Sequence, residues 1–172
     1  MLQSLRAMTI TPFKLGREEA AFLRIQHLSI LAASRGPDNI PFVIRAMGWR
    51  LSPHADSISV LLPAEDAREL LEHVAGNGQI AVTFALPATH QALQLKGSDA
   101  KVEKVLKTDR ALAKAYRKAF VGHLEELGYP GAVFEAMFAD ESEGLAAVKF
   151  TPSSAFSQTP GPNAGQAIGA VK

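Results

Sequence analysis

The 172 residues are enough for one domain with a sizeable core and too few for two full domains. The composition is 47% hydrophobic and 20% charged, as in an ordinary globular protein, and a formal net charge of +1 gives no overall field that would favour nucleic acid or an acidic membrane. Cysteine is absent, which excludes a disulfide scaffold, a thiolate metal site, an iron–sulfur cluster and cysteine-based catalysis.

The N-terminal residues carry charges early and lack the uninterrupted apolar stretch of a secretory signal. No apolar run in the sequence approaches the roughly 20 residues that a membrane span needs. These observations predict a cytoplasmic protein without a membrane segment.

The first third of the chain predicts a short helix followed by three strands. Gly16 precedes Arg17 and two acidic residues, which suit the first turn of a helix. A short apolar strand over Ser29–Ser34 ends at the turn cluster of residues 35–39. The chain then resumes as strand, turn and strand over Ile40–Leu51.

The middle of the chain predicts strands on both sides of one helix. Ser57–Leu62 and Gln79–Leu86 place an apolar residue at every second position, which is the period of a half-buried strand. Pro63 is predicted to open the helix between them, which carries one apolar stripe and ends at a Gly-Asn-Gly sequence. A further strand is expected over Gln91–Lys96, with an extension as far as Val105.

The last third predicts one long helix, one strand and a tail. Asp109–Leu127 repeats apolar residues at the spacing of one helix face, and a glycine and a proline follow it. Ala146–Phe150 is predicted as the last strand. The chain is therefore expected to be a single domain over residues 1–172, in which residues 151–172 form a Pro/Gly-rich tail.

This order of elements indicates the fold class. Five or six short strands with two intervening helices, joined mostly by short turns, favour an antiparallel α+β barrel or open sheet. A doubly wound parallel sheet requires a regular strand–helix alternation, which the sequence lacks. A Rossmann domain is therefore disfavoured.

Four segments between Gln26 and Val105 carry a family resemblance. They are SILAASRGPDNIPFVIRAMGW, SISVLLP, ELLEHVAGNG and QIAVTFALPATHQALQLKG. In this order they resemble the split-barrel proteins that bind flavin mononucleotide (FMN), a family that includes pyridoxamine 5′-phosphate oxidase. The closing FTPSSAFSQTPGPNAG is similar to the C-terminal element of one bacterial subgroup of that family.

The resemblance implies a six-stranded antiparallel split β-barrel with flanking helices that associates as a homodimer. It implies one FMN in each of two grooves at the subunit interface, with Arg and Lys side chains of central strands on the phosphate and polar groups of a neighbouring strand on the ring. It also implies an oxidoreductase acting on a small molecule, because a bound flavin accepts a hydride or electrons at N5.

One departure from the family concerns the substrate. The C-terminal Trp-and-Arg pattern, with which pyridoxamine 5′-phosphate oxidase contacts its flavin and substrate, is missing from this sequence. The single tryptophan, Trp49, lies in an early predicted strand. The resemblance therefore predicts a flavin site without predicting oxidation of pyridoxamine phosphate.

Three strand residues are predicted to bind FMN. Arg45 lies in an otherwise apolar strand, where its guanidinium needs an anion such as the flavin phosphate, an acidic partner or solvent at a sheet edge. Gln94 and Lys96 are two residues apart and share one strand face. That face is either a cofactor cleft, with Lys96 on the phosphate and Gln94 on the ring edge or ribityl chain, or a solvated outer surface.

Two loop segments complete the predicted site. Thr89 and His90 precede the strand of Lys96, and the Thr89 hydroxyl is placed to donate to the phosphate. His90 is either a partner that titrates near neutral pH or an exposed loop residue. Gln158 and Thr159 begin a Pro/Gly-rich sequence that either covers the flavin groove of the partner subunit or is a loose end.

The remaining titratable residues leave the chemistry open. The five histidines show no metal-ligand spacing, so no metal site is predicted. No acid–base pair that would fix a substrate stands out. Two alternatives to the oxidoreductase therefore stay open: a non-catalytic protein on the same barrel that carries flavin or haem, for which histidines offer axial ligands, and an interaction module without a cofactor.

Overall fold

The computed structural model describes residues 13–138 and 144–169. Residues 1–12, on which the prediction of no targeting segment partly rests, lie outside this range. The helices are α1 (Arg17–Phe22), α2 (Arg68–Asn77), α3 (Asp109–Glu126) and α4 (Gly131–Glu135). Within the described ranges, no helix combines the length and the apolar character needed to cross a membrane.

The strands follow these helices in groups: four after α1, three after α2 and three after α4. They are β1 (Ser29–Arg35), β2 (Pro41–Arg45), β3 (Gly48–Leu51), β4 (Ile58–Pro63), β5 (Ile80–Ala85), β6 (Ala92–Gly97), β7 (Lys101–Glu103), β8 (Leu145–Phe150), β9 (Ser154–Ser157) and β10 (Ala167–Ile168). The antiparallel α+β class predicted from the sequence is confirmed.

The strands form two antiparallel sheets, which corrects the prediction of one six-stranded barrel. A six-stranded sheet has the order β10-β9-β6-β5-β1-β2, and a four-stranded sheet has the order β3-β4-β8-β7. Among the described residues no ladder joins the two sheets, so they do not close into a barrel. The strand count was too low because β7, β9 and β10 are only 3, 4 and 2 residues long, which is too short for a clear alternation.

The core receives one face of the six-stranded sheet. In β5, Ile80, Val82 and Phe84 are buried while the residues between them are partly exposed, as the alternation predicted. Leu93 and Leu95 of β6 point to the same side and are also buried. Among the described residues, none on the other face of this sheet belongs to the core.

Strand β4 has both of its faces covered. It lies between β3 and β8, and every residue from Ile58 to Pro63 is buried. Pro63 is the last residue of this strand and pairs with Leu145, so the prediction that it opens a helix was wrong. Proline is tolerated at a strand end, where no ladder donor is needed, and α2 begins only at Arg68.

Helix α3 and Trp49 connect the two sheets. Tyr116, Phe120 and Leu124 form the buried face of α3, as its periodicity predicted, whereas Leu127 lies beyond the helix end and is 41% exposed. The Trp49 ring of β3 lies 5.7 Å from the ring of Phe84 in β5 and 5.8 Å from that of Tyr116, measured between centroids. One aromatic cluster therefore packs against both sheets and α3.

An ionic cluster around the buried Asp109 lies beside the four-stranded sheet. Asp109 is fully buried, and its Oδ1 lies 3.0 Å from Arg50 Nε while its Oδ2 accepts a hydrogen bond from the Leu106 amide at 2.7 Å. Arg50 also donates to Glu103 at 2.7 Å, and Glu103 accepts from the Ser59 hydroxyl at 2.5 Å. These bonds tie β3, β4 and β7 to the first turn of α3.

Candidate functional site

The face of the six-stranded sheet that is turned away from the core is called the open face below. Successive strand residues point to opposite sides, so its members follow from the pairing register. They are Ser29, Leu31, Ala33, Arg35, Pro41, Val43, Arg45, Ala81, Thr83, Ala85, Ala92, Gln94, Lys96, Ser154, Phe156 and Ala167. Leu31 of β1 and Val43 of the edge strand β2 are 40% and 55% exposed, so this side of the open face presents apolar surface.

Small residues form the floor of the open face. Ala33 of β1 lies opposite Ala81 of β5, and Ala85 of β5 lies opposite Ala92 of β6. A methyl group is the only side chain at each of these positions, so a flat ring can approach the sheet closely. We refer to these four residues as the alanine floor.

A row of polar side chains crosses the alanine floor. The Gln94 side-chain amide donates to the Thr83 hydroxyl at 3.2 Å, and the Gln158 side-chain amide donates to Gln94 Oε1 at 3.4 Å. The structure thus brings together Gln94, predicted for the flavin ring edge or ribityl chain, and Gln158, predicted as part of the segment that covers the groove. The structure also places Thr83 in this row. The alternation in β5 puts Thr83 on the same face as Ala81 and Ala85, but it was not predicted as a site residue.

The C-terminal segment is docked on this subunit's own sheet. Strand β9 pairs with β6, and β10 pairs with β9. The Gln158 amide N–H donates to the Ala92 carbonyl at 2.8 Å, and Thr159 Oγ1 accepts from the Ala92 amide at 3.0 Å. Thr159 therefore holds the start of β6 in place. That this segment covers a partner's groove stays a prediction.

A pocket of about 310 Å³ lies at one end of the open face. Its walls include Ala33, Arg35, Pro41, Gln79, Ala81 and Lys96. The Lys96 ammonium lies 4.8 Å from the centre of the Phe156 ring, which holds it by a cation–π contact. Among the described residues no carboxylate lies within 4.0 Å of Arg35 or Lys96. This cationic pocket is therefore suited to an anionic group of a ligand.

Helix α2 positions Arg35 in the cationic pocket. The Asn77 side-chain amide donates to the Arg35 carbonyl at 2.7 Å, and the Ser34 hydroxyl is hydrogen-bonded to His73 Nδ1 at 3.0 Å. A methyl group added to Gly36 would lie 2.8 Å from His73 Nε2, so a larger residue there would have to displace the His73 ring. Arg35 was not predicted as a site residue, because it stands in a turn cluster, where no alternation of apolar and polar residues shows which sheet face its side chain takes.

Arg45 lies at the other side of the open face. It is paired with Leu31, and strands β1 and β5 separate its strand from that of Lys96. Three strand spacings amount to roughly 14 Å. The Arg45 guanidinium turns toward Ser29 and Phe120, whereas Lys96 turns toward Phe156. Within one subunit the two predicted phosphate ligands therefore diverge, and Arg35 is the cation that shares a pocket with Lys96.

Thr89 and His90 lie in the exposed turn between β5 and β6. The Thr89 hydroxyl accepts a hydrogen bond from the Gln91 amide at 3.3 Å. His90 has a φ of +59°, a backbone conformation of tight turns. This turn is at the start of β6, while Lys96 is near its end, so neither residue lies beside the cationic pocket.

Two histidines form a close pair with tilted rings near the start of β1. The centroids of the His27 and His123 rings are 4.0 Å apart, with an interplanar angle of 30°. Burial lowers the pKa of His27, His123 lowers it further, and Glu126 opposes these effects. In the described part of the chain no group of three or more His, Cys, Asp or Glu side chains is arranged to hold a metal ion.

Comparison with known proteins identifies the fold. No family model and no curated protein matches the sequence. Among solved structures, HupZ of Group A Streptococcus is 14% identical, with a TM-score of 0.52 over 88% of this chain and 100% of that chain. A candidate pyridoxamine 5′-phosphate oxidase of Lactobacillus delbrueckii is 16% identical, with a TM-score of 0.50 over 83% of this chain and 93% of that chain. A conserved hypothetical protein of Mycobacterium tuberculosis is 11% identical, with a TM-score of 0.50 over 86% of both chains.

These similarities confirm the resemblance at the level of fold. The chain has the architecture of pyridoxamine 5′-phosphate oxidase-like proteins, and it spans most of the length of each structure named here. At such low sequence identity, a shared fold does not establish which ligand the protein binds or which reaction it catalyses. These have to be argued from the open face itself.

Proposed function

We propose that the chain binds FMN on the open face and acts as a flavin-dependent oxidoreductase on a small molecule. The observation that supports this most directly is the arrangement of three features on one sheet surface. The alanine floor, the polar row through Gln94 and the cationic pocket lie next to one another. FMN needs the same three surroundings, because it joins a flat ring with a polar edge to a phosphate.

Each feature corresponds to one part of the cofactor. Arg35 and Lys96 hold the phosphate, since charge-assisted hydrogen bonds from cations are the strongest available to it. The alanine floor accepts the ring, and the side-chain amides of Gln94 and Gln158 bind its edge or the ribityl chain. The bound flavin would supply the redox chemistry, and the protein would supply orientation and positive charge.

The same face favours flavin over haem. Haem iron is held in proteins by an axial His, Cys, Met or Tyr side chain. On the open face, as the described strands define it, none of these four residue types is present. A haem carrier on this surface would therefore have to take its axial ligand from elsewhere.

A second copy of the chain completes the proposed site. Leu31 and Val43 leave apolar surface exposed on the open face, and a ring lying on the alanine floor would still have its second side in water. A homodimer in which two open faces meet would cover both surfaces and give the split-barrel dimer that the resemblance implies. Light scattering of the purified protein tests this, with twice the chain mass expected.

Paired titrations with FMN and riboflavin test the cofactor assignment. FMN is expected to bind at least about tenfold more tightly than riboflavin, because a charged hydrogen bond contributes about 1.5–3 kcal/mol. Lys96→Gln should weaken FMN about tenfold, by removing one of the two cations from the phosphate, and leave riboflavin unchanged. Lys149→Gln, a lysine on the four-stranded sheet, is the matched control and should change neither.

Absorption spectra decide between the remaining functions. Anaerobic reduction of the bound flavin by NADPH or NADH would support an oxidoreductase, whereas a bound flavin that neither donor nor other small reductants reduce would indicate a carrier. A Soret band after haem addition, with no uptake of FMN, would contradict the proposal. Protein that binds neither cofactor would contradict it as well.

A further inference from the structure

A second cavity, of about 320 Å³, opens at one end of the four-stranded sheet. Its polar lining consists of two lysines, two aspartates and two hydroxyl residues: Lys101, Lys149, Asp56, Asp99, Ser57 and Thr151. None of these residues belongs to the open face, so the cavity is separate from the proposed flavin site. We refer to it as the four-charge pocket.

The two lysines of the four-charge pocket face each other across neighbouring strands. Lys101 of β7 lies directly opposite Lys149 of β8, so their side chains share one face of the sheet. Like charges at directly opposed positions destabilise a sheet, and an anion between them would remove the repulsion. Among the described residues no carboxylate lies within 4.0 Å of either ammonium group. The pair therefore forms a cationic wall that can bind the anionic group of a ligand.

The two aspartates of the pocket are each held at one carboxylate oxygen. Asp99 Oδ1 accepts a hydrogen bond from the Thr151 amide at 2.8 Å, and Asp56 Oδ1 accepts one from the Ser52 hydroxyl at 2.5 Å. The hydrogen bond from Ser52 lowers the pKa of Asp56, so this carboxyl is ionised near neutral pH. In the described part of the chain neither Oδ2 atom accepts a hydrogen bond. The second oxygen of each aspartate can therefore accept from a cationic group.

Charges of both signs thus line one pocket without pairing with each other. The two lysines and two aspartates cancel in charge, and no ammonium–carboxylate distance among them falls within 4.0 Å. A ligand with a single charge would leave one wall unmatched, whereas a neutral zwitterion can match both. Phe150, the apolar member of the lining, is only 1% exposed, so the pocket offers charges and hydroxyls rather than an apolar surface.

We infer that the four-charge pocket binds a small zwitterion whose opposite charges are separated along a chain, such as a dipeptide or an ω-amino acid. Lys101 and Lys149 bind its carboxylate, and Asp56 and Asp99 bind its ammonium group. An α-amino acid fits less well, because it carries both charges on one carbon atom. The binding of the zwitterion does not depend on FMN.

Calorimetric titration of the full-length protein with glycylglycine and two capped forms of this dipeptide tests the inference. Glycylglycine carries both charges, glycylglycinamide lacks the carboxylate, and N-acetylglycylglycine lacks the ammonium group. Glycylglycine should bind saturably, and each capped form should bind at least about tenfold more weakly, because it leaves one wall of the pocket unmatched.

One substitution in each wall assigns the two ends of the ligand. Lys149→Gln and Asp99→Asn should each weaken glycylglycine about tenfold. Lys149→Gln should not weaken glycylglycinamide, which has no carboxylate, and Asp99→Asn should not weaken N-acetylglycylglycine, which has no ammonium group. Lys114→Gln, an exposed lysine of α3, is the control and should change none of these affinities.

Thermal unfolding separates binding from a structural role of the lysines. Without ligand, Lys149→Gln relieves the repulsion of Lys101 and should not lower the unfolding midpoint. A lowered midpoint would show that Lys149 already has a stabilising partner, which contradicts the inference. Absence of saturable glycylglycine binding, equal binding of a capped form, or unchanged affinity in both Lys149→Gln and Asp99→Asn would overturn it. Circular dichroism checks that the variants fold.

Discussion

The two sheets of this protein differ in how many of their faces are buried. In the four-stranded sheet, β4 is buried at every position and an ionic cluster closes the side next to α3. In the six-stranded sheet, β5 is buried only at alternate positions, and the residues between are alanine and threonine. Strand β4 of the four-stranded sheet is therefore covered on both faces. The six-stranded sheet keeps one face open, and a ligand can bind there.

The largest expected effect of a single substitution is in the four-stranded sheet. Arg50→Met removes the cation from the fully buried Asp109 and should lower the free energy of unfolding by about 3–5 kcal/mol, because the buried carboxylate is left uncompensated. Urea unfolding followed by circular dichroism measures this loss. Lys96→Gln, on the open face, is the control and should change stability by no more than about 0.5 kcal/mol.

Enlarging one alanine in each sheet separates stability from binding. Ala147 in β8 is fully buried, so Ala147→Leu should lower the free energy of unfolding by about 1–3 kcal/mol through overpacking. Ala81→Leu places the same side chain on the open face, where its stability effect should stay within about 0.5 kcal/mol. Equal destabilisation by both substitutions would contradict the difference between the sheets.

How much of this difference the sequence predicts depends on strand length. The alternation in β5 is long enough to show which residues face the core, and the long helix α3 was placed to within one residue at its end. Strand β9 has only four residues, and its partner β6 lies far away in the sequence, so local patterns give no sign of the pairing. Pro63 was misplaced for a related reason, since proline suits both a strand end and a helix start.

A smaller effect is expected in the cationic pocket. Arg35→Gln should raise the dissociation constant for FMN about tenfold, or about 1.4 kcal/mol, by removing one cation from the phosphate. The affinity for riboflavin should not change. Fluorescence titration measures both constants, and Arg68→Gln, an exposed arginine at the start of α2, is the control. A parallel loss for both flavins would indicate that Arg35 supports the fold of the turn rather than the phosphate.

The smallest effect concerns pH and the His27–His123 pair. The pKa of His27 is lowered in the folded protein, so the unfolded chain takes up the proton more readily as pH falls. The contribution of His27 to the free energy of unfolding should therefore be fully present above the ordinary histidine pKa of about 6.5 and should decline below it. The loss should not exceed about 0.5 kcal/mol, because His27 is only partly buried and Glu126 offsets part of the effect. Thermal unfolding between about pH 5 and 8 should become flatter in His27→Gln, but not in His54→Gln.

The site was harder to predict than the fold because its parts come from distant segments. Gln94 and Lys96 were found from their shared strand face, and the structure keeps them on one face. Arg35 stands in a turn cluster, and its meeting with Lys96 depends on the register of β1, β5 and β6, which the sequence does not state. The same register places Arg45 three strand spacings from Lys96, although each is a single cation in an apolar strand.

A fluorescence titration of FMN against the wild-type protein, Ala81→Leu and Ala147→Leu tests the central assignment most directly. The assignment predicts saturable quenching with one FMN per chain for the wild type and for folded Ala147→Leu, and loss of binding for Ala81→Leu, whose larger side chain occupies the alanine floor. Absence of binding to the wild type, or unchanged affinity in Ala81→Leu, would contradict a flavin site on the open face.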